Sequence, residues 1–323
     1  PKGFFYRLFH KEPEKTDDYE QWILKHRPDK KTLRKQKKAV FQKKPLISIV
    51  VPLYQTPEPY LRELIDSVKV QSYEDWQLCL ADGSPDDRLK GFLDRNYGKE
   101  DRIVYRKLEQ NGGISVNTNE AVMLATGEYL MLCDHDDTLE PDALYEITKA
   151  INEKDADFIY CDEATFKSPD INKMITMHFK PDYAIDNLRA NNYICHFSVF
   201  SRELLDGTEL FRTKFDGSQD HDMILRLTDN AKHIVHVPKL LYYGRSHAGS
   251  VAGNIEAKPY VVEAARGAVA DHLRRHGFKN FTITSTRAFE TIFKISYEII
   301  GEPKISIIIP NKDHVEDLRR CIS

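Results

Sequence analysis

The sequence lacks the features that define several protein classes. Its five cysteines include no CxxC pair, and three lie inside apolar runs, so buried thiols in a reducing compartment are expected instead of disulfides or a zinc site. No apolar run approaches the roughly 18 residues of a membrane span, and no signal peptide is visible. The P-loop pattern GxxxxGK followed by Ser or Thr is absent, which excludes a P-loop NTPase. A net charge of −3 gives no general case for nucleic-acid binding.

What is present indicates a large α/β domain. The 323 residues are 41% hydrophobic and 30% charged, enough for a sizeable core. Short apolar runs alternate with helical periodicity from Pro45 onward. Strands are predicted at 47–51, 77–81, 103–105, 129–133 and 158–161. Helices are predicted at 59–70, around 89–93, after 114 and at 141–152. This alternation predicts a three-layer domain with a mainly parallel sheet over residues 45–300.

The alternation weakens after residue 161. Residues 167–193 are irregular and polar, which favours a segment that faces a substrate. Further strands are expected at 194–201, 234–237, 241–243, 281–286 and 291–299, and helices at 219–229 and 256–276.

Both ends differ from this central region. Residues 1–44 carry an aromatic cluster at 4–9, then helical spacing of apolar residues at 19–26, then eight Lys/Arg without an acid from Lys30 to Lys44. They form either a helical extension with a solvated basic face or a surface that contacts anionic lipid or an anionic acceptor. Residues 303–310 repeat the pattern of residues 45–52, so residues 301–323 are expected to begin a second, homologous domain that is cut short.

The most informative stretch is the acidic end of the 129–133 strand. Asp134, Asp136 and Asp137 follow this apolar run directly. Open α/β sheets bind ligands at the carboxyl ends of their strands, and clustered carboxylates attract a hard cation such as Mg²⁺ or Mn²⁺. The alternative is a solvated acidic turn that opens a helix, with Asp137 or Thr138 as N-cap.

Eight motifs in order resemble the inverting glycosyltransferases of family 2, which have the GT-A fold. They are Val50–Tyr54, Gln71–Tyr73, Ala81–Ser84, Asn111–Ile114, Ala125–Tyr129, Asp134–Asp137, Gln219–Asp222 and Arg245–His247. The resemblance spans residues 45 to about 290. It implies a Rossmann-like GT-A domain at 45–300, a nucleotide-sugar donor and a divalent cation, Mn²⁺ or Mg²⁺.

The resemblance implies roles for residues at the first two strand ends. Asp82 would accept the N–H of the nucleotide base, and Pro52 and Tyr54 would pack on that base. Asn111 and Gly113 would bring backbone amides close to the nucleotide or sugar. From the residues alone, an Asx-turn at Asp82 and a plain turn before a helix explain the same patterns.

The resemblance also implies how the diphosphate is held. Asp136 would ligate the cation, Asp134 would contact the ribose or a metal-bound water, and Asp137 would hold sugar hydroxyls or the loop. His247 would close over the diphosphate as a further metal ligand. Arg245 would be available to phosphate oxygens. The family commonly carries Trp at the position of Gly244, a departure in this loop.

Asp220 is the candidate catalytic base, because a sugar hydroxyl must lose its proton as it attacks. Family members usually have Glu-Asp where this chain has Gln219-Asp220. Asp222 is an alternative candidate for the base, but two residues further along the helix it is expected to point away. A helix cap is the plain alternative for Asp220. The acceptor-side candidates are Asp162, Glu163 and His196.

These inferences predict transfer of a sugar from a nucleotide donor to a glycan, lipid-linked or glycoprotein acceptor. Similar tandem proteins imply bacterial glycan assembly in the cytoplasm, at the inner face of the membrane. An inactive carbohydrate-binding or scaffolding module beside an active second domain is the alternative. A nucleotidyltransferase is disfavoured because no glycine-rich basic loop follows the first strand.

Overall fold

The structure, a computed structural model, describes residues 17–171, 173–246 and 259–323. It confirms a three-layer α/β fold with a mainly parallel central sheet. The strands are β1 (Ile47–Leu53), β2 (Trp76–Asp82), β3 (Ile103–Lys107), β4 (Tyr129–Leu132), β5 (Thr138–Leu139), β6 (Phe158–Lys167), β7 (Met174–His178), β8 (Ser198–Ser201), β9 (Ile234–Ser246), β10 (Phe281–Ser285) and β11 (Phe293–Tyr297).

The chain also contains eleven helices within the described residues. They are α1 (Asp17–His26), α2 (Lys30–Gln36), α3 (Glu58–Lys69), α4 (Arg88–Tyr97), α5 (Ile114–Val122), α6 (Ala143–Lys154), α7 (Ile185–Ala190), α8 (Arg202–Leu205), α9 (Gln219–Asn230), α10 (Pro259–Arg275) and α11 (Val315–Ile322). A 3₁₀ turn, Thr213–Phe215, precedes α9.

The main sheet has the order β3-β2-β1-β4-β8-β6-β9-β5, with β7 paired to β6. Strands β1 to β4 are mutually parallel, and β6 and β9 run the same way, while β5, β7 and β8 run opposite to them. The carboxyl ends of β1, β2 and β4 therefore meet at one edge. Strands β10 and β11 form a separate hairpin.

The core lies on both faces of β1, which is buried along its whole length. Ile49 and Val51 face a cluster that includes the apolar sides of α3, α4 and α6. Val50 faces a second cluster with α5, α9 and α10. Burial on both faces explains why the strand is a continuous apolar run.

Four predicted elements differ from the structure. Residues 167–193 were expected to be irregular but contain β7 and α7. The strand expected at 194–201 is only Ser198–Ser201, because the preceding residues turn through Cys195 with φ +42°. The two strands expected at 234–243 are one long strand, β9, whose register against β6 shifts near Asp162. Residues 303–310, similar in sequence to β1, form no strand.

The described part of the N-terminal extension packs on the domain. Ile23 is 3% exposed and lies in a cluster with Phe166 and Tyr243. Arg27 donates from Nε to Glu140 Oε2 at 3.1 Å, an acceptor that Tyr243 Oη also reaches at 2.6 Å. The aromatic cluster predicted at 4–9 lies outside the described residues. Within the described residues, no helix is both long and apolar enough to cross a membrane.

Candidate active site

The loops that follow β1 and β2 form one rim at the carboxyl edge. Leu53 and Asp82 are paired in the parallel register. Gly83 N donates to Leu53 O at 3.0 Å, and Gln55 N donates to Ser84 Oγ at 2.8 Å. The two strand ends are therefore held side by side, as the resemblance implies for a nucleotide-base pocket.

Asp82 is fully buried at this rim and is already hydrogen-bonded. Its Oδ1 accepts from Ser84 N at 2.8 Å, which is an Asx-turn, and its Oδ2 accepts from Tyr105 Oη at 2.8 Å. Lys107 Nζ lies 3.7 Å from Oδ2. The Asx-turn is thus present, and contact of Asp82 with a base stays a prediction. Tyr54, 45% exposed, is available to pack on a planar ligand.

The Asn111–Gly113 turn opens α5 on the same edge. Gly113 has φ +86°, a conformation that favours glycine, and a Cβ there would lie 3.1 Å from Asp216 Oδ2. Asn111 Oδ1 accepts from Gly113 N at 3.1 Å and from Asn117 Nδ2 at 2.9 Å. Ser115 Oγ donates to Asp216 Oδ1 at 2.5 Å, which ties this turn to the loop before α9.

Residues 134–137, the acidic turn, bring three carboxylates together. Ligand oxygens of Asp134, Asp136 and Asp137 all lie within 4.8 Å of one another. Mg²⁺ and Mn²⁺ prefer such hard oxygen donors. The donor set therefore fits the divalent cation that the sequence predicts.

Asp137 is the buried member of the acidic turn. Its Oδ1 accepts from Arg245 N at 2.7 Å, and its Oδ2 accepts from Tyr242 Oη at 2.5 Å. Asp134 N donates to the same hydroxyl at 3.2 Å. Burial and the charges of Asp134 and Asp136 raise the pKa of Asp137 to about 8. A bound cation would offset this repulsion, and Asp137 itself holds the turn against β9.

The side chain of Arg245 points into the protein interior. Its guanidinium is buried, donates from Nε to Asp136 O at 2.6 Å, and also bonds Glu63 and Ser168. It lies 4.3 Å above the Tyr60 ring. In this structure Arg245 shapes the acidic turn, and contact with phosphate stays a prediction. His247, the other predicted group of this loop, lies outside the described residues.

His196 lies against the acidic turn. Its Nε2 is 3.3 Å from Asp134 Oδ2, and its ring stacks on Tyr242 with centroids 5.2 Å apart. Burial acts to raise the pKa of Asp134, but the neighbouring His196 outweighs it and lowers this pKa. His196 was predicted as an acceptor-side residue; in this structure it contacts the acidic turn, and contact with an acceptor stays a prediction.

Asp220 is half-buried in the first turn of α9, and its described hydrogen bonds involve Oδ2. Its Oδ2 accepts from Asn192 Nδ2 at 2.8 Å and lies 4.0 Å from Cys195 Sγ. Gln219 Oε1 accepts from Gly217 N at 2.9 Å, so this side chain supports the helix start. Asp222 is fully buried between Arg212 and Arg226, a structural ion pair, as expected of a residue that points away.

Asp162 and Glu163 anchor the chain instead of lining an open surface. Asp162 Oδ1 accepts from Lys180 N at 2.9 Å and from His236 Nε2 at 2.8 Å. Glu163 Oε2 lies 3.4 Å from Lys180 Nζ, and its Oε1 lies 3.2 Å from His178 Nδ1. Both carboxylates thus fix residues 178–180, and acceptor contact stays a prediction.

Sequence reasoning missed Tyr242, Asn192 and Lys180. Tyr242 was placed on a strand, but its direction depends on the β9 register, which no local pattern encodes. Asn192 and Lys180 lie in the segment that was expected to be irregular. A lysine with a fully buried side chain carries no signal in a sequence that has many exposed lysines.

A second group of ligand-capable side chains, the Asp229 group (Asp229, His272 and His276), lies between α9 and α10. Asp229 Oδ2 accepts from Arg275 at 2.5 Å, and its Oδ1 lies 2.8 Å from His276 Nε2. Arg189 Nε donates to His272 Nε2 at 3.1 Å. Because two guanidiniums already occupy this group, its chemistry fits an ion-pair network and not a metal site.

Residues 48–208, about half of the chain, match the family model described as glycosyl transferase family 2. The chain belongs to this family. The match contains β1, β2, β4, the acidic turn and the Asn192–His196 segment. The three-layer arrangement of sheet and helices is that of the family's GT-A fold.

Two curated relatives extend the similarity over most of the chain. The protein y4gI of Sinorhizobium fredii is 40% identical over 287 residues, which are 87% of this chain and 31% of that protein. The O-antigen biosynthesis protein RfbC of Myxococcus xanthus is 31% identical over 313 residues, 96% of this chain and 24% of that protein. The chain therefore spans less than a third of the length of either relative.

Solved structures show the same fold. TarS of S. aureus in complex with UDP-GlcNAc has a TM-score of 0.53 at 17% identity, covering 81% of this chain and 99% of that one. The mannosyltransferase PcManGT of Pyrobaculum calidifontis, in complex with GDP-Man and Mn²⁺, has a TM-score of 0.52 at 16% identity, covering 77% and 81%.

Proposed function

We propose that this chain transfers a sugar from a nucleoside-diphosphate donor to a hydroxyl of a growing glycan, with inversion and with a divalent cation. The observation that carries the proposal is that one short segment contacts two separate carboxylate sites. Asn192 binds Asp220, and His196, four residues on, lies against Asp134. A catalytic base and a diphosphate site that contact the two ends of one short segment suit direct displacement.

In this mechanism Asp220 accepts the proton of the acceptor hydroxyl as that oxygen attacks the anomeric carbon. The bond from the anomeric carbon to the diphosphate oxygen breaks, and the nucleoside diphosphate leaves from the opposite face. The rim at Asp82 and Tyr54 would hold the nucleotide base of the donor. The acidic turn would hold a Mg²⁺ or Mn²⁺ ion. That cation would neutralise charge on the leaving diphosphate.

The donor class is supported by the solved neighbours, which are complexes with UDP-GlcNAc and GDP-Man. UDP-hexose, UDP-N-acetylhexosamine and dTDP-rhamnose remain candidates, with a UDP-sugar favoured. The relative RfbC, an O-antigen biosynthesis protein, supports a glycan as acceptor. That the acceptor is lipid-linked or a glycoprotein, and that transfer takes place in the cytoplasm at the inner face of the membrane, are further parts of this proposal.

The test is release of nucleoside diphosphate from a panel of UDP-, GDP- and dTDP-sugars, with Mn²⁺ or with EDTA. We expect one donor class to be turned over with Mn²⁺ only, and Asp220→Asn to lower kcat by about 10²- to 10⁴-fold. The exposed Glu153→Gln serves as matched control. Binding of a donor or glycan without turnover would favour the inactive module instead, and no interaction with any nucleotide would refute the proposal.

We also propose that residues 301–323 begin a second copy of the domain. Ile305, Ile307 and Ile308 are at least 80% exposed, whereas the equivalent residues of β1 are buried. Hydrogen exchange of these residues should slow markedly when the chain is continued by its own downstream sequence. Equal exchange in the two forms would contradict this proposal.

A membrane contact through α2 is a third proposal. Lys31, Arg34, Lys35 and Lys38 are exposed, while Lys37 pairs with Glu74. We expect sedimentation with vesicles containing anionic lipid but not with neutral vesicles, and loss of it when those four residues are changed to Gln. If the Gln variant bound anionic vesicles as well as the wild type does, the proposal would be wrong and these residues would form only a solvated basic face.

A further inference from the structure

The bridging segment, residues 192–196, contacts both carboxylate sites of the proposed function. At its start, Asn192 Nδ2 donates to Asp220 Oδ2 at 2.8 Å. At its end, His196 Nε2 lies 3.3 Å from Asp134 Oδ2. These five residues therefore contact both the Asp220 carboxylate and the acidic turn.

The orientation of the Asn192 amide is fixed by its own loop. Cys195 N donates to Asn192 Oδ1 at 3.3 Å, so the carbonyl end of the amide faces the backbone and the NH₂ end faces Asp220. The described hydrogen bonds of Asp220 all fall on Oδ2. In the proposed function, Oδ1 would then accept the proton of the acceptor hydroxyl.

A buried lysine holds the bridging segment from behind. Lys180 Nζ donates to Ile194 O and to His196 O, each at 2.5 Å, and its side chain is fully buried 3.4 Å from Glu163 Oε2. These carbonyls flank Cys195, whose φ of +42° is unusual for a residue with a Cβ. One ammonium therefore stabilises a backbone turn that would otherwise be unfavourable.

We propose that Asn192 is a positioning residue that orients the Asp220 carboxylate toward the acceptor, and that Lys180 fixes the turn presenting Asn192 and His196. The proposal rests on the role of Asp220 in the proposed function. It assigns a use to two side chains that the sequence motifs of the family resemblance do not include.

The primary test compares Asn192→Ala with Asn191→Ala, a change at the neighbouring amide. Asn192→Ala should lower kcat about 10- to 100-fold, because small misplacements of a catalytic group have effects of that size. The KM for the donor should stay within about twofold, since the rim and the acidic turn are untouched. Asn191→Ala should resemble the wild type in both constants.

A second variant separates positioning from plain support of the fold. Asn192→Asp would place a carboxylate against Asp220, so the acidic limb of the kcat–pH profile should move to higher pH by about one unit or more. The other groups near Asp220 stay unchanged. These are Cys195, His221, which bonds Leu188 O, and Asp222, which pairs with Arg212 and Arg226. A merely structural role would lower stability and leave the limb in place.

Lys180→Met should reproduce the kcat loss, and Lys180→Arg should recover part of it. If Lys180→Met fails to fold, the Asn192 variants still decide the inference. Wild-type turnover that is lost in Asp220→Asn but kept in Asn192→Ala overturns this inference alone. A wild type that turns over no donor overturns both it and the proposed function.

Discussion

The acidic turn and the Asp229 group are both sets of ligand-capable side chains, but their charges are balanced differently. Around Asp229, Arg275 and two histidines converge on a single carboxylate. The acidic turn gathers three carboxylates, with His196 beside Asp134 and His135 4.0 Å from Asp136. The first group is neutralised from within the chain. The second retains an excess of negative charge, which an added cation would offset.

The largest expected effect is at Asp136. Asp136→Ala should abolish the Mn²⁺-induced rise in Tm and lower donor turnover by about 10³-fold or more, because the cation would lose a ligand at the leaving diphosphate. His276→Ala in the Asp229 group should keep both the Mn²⁺ response and the turnover. Differential scanning fluorimetry with and without Mn²⁺, combined with the donor assay, measures both. A Mn²⁺ response that disappears only in His276→Ala would reverse the comparison.

The next effect concerns stability at the Asp229 group. Burial acts to raise the pKa of Asp229, but His272, His276 and Arg275 outweigh it and lower this pKa to about 2. A lowered carboxyl pKa stabilises the fold above the unfolded pKa of about 3.9, by about 2 kcal/mol, and about half of this is lost by pH 3.

Asp229→Asn should therefore reduce the free energy of unfolding at pH 7, and the difference from the wild type should shrink between pH 5 and pH 3. Urea unfolding across that range measures it. A difference independent of pH would show that the carboxylate charge is not the stabilising factor.

The smallest effect separates two adjacent tyrosines. Tyr242→Phe removes the hydroxyl between Asp134 and Asp137, and Tyr243→Phe removes the one on Glu140. Each should cost about 1 kcal/mol of stability or somewhat more. Turnover should fall about tenfold in Tyr242→Phe alone, because only Tyr242 touches the acidic turn. Equal kinetic losses in the two variants would mean that the hydroxyl on the turn has no special role.

The rim after β1 and β2 and the acidic turn could be predicted from sequence because they follow regular βα units. The ends of the apolar runs mark the ends of β1, β2 and β4. Parallel pairing of these strands then places Asp82 and Asp134 at one edge of the sheet. The glycine turn at Gly113 and the helix after it are likewise encoded locally. These features depend on neighbours in the chain, which periodicity reveals.

The rest of the candidate site could not be predicted in this way. Its geometry depends on Lys180 reaching the carbonyls of Ile194 and His196, and on the shifted register of β6 and β9. His196, which lies in this part, contacts Asp134 of the acidic turn, and its contact with an acceptor stays a prediction. Asp162 and Glu163 looked like free acidic residues in the sequence, but they bind partners that lie 15 or more positions away.

The packing of α1 has a practical consequence for shortening this protein. A version starting at Pro45 would coincide with the start of the predicted domain, yet it would uncover Phe166 and Met174, which Ile23 now covers. It would also remove Arg27 from the buried Glu140 carboxylate. Such a version is expected to aggregate on expression, so a useful truncation point lies before Asp17.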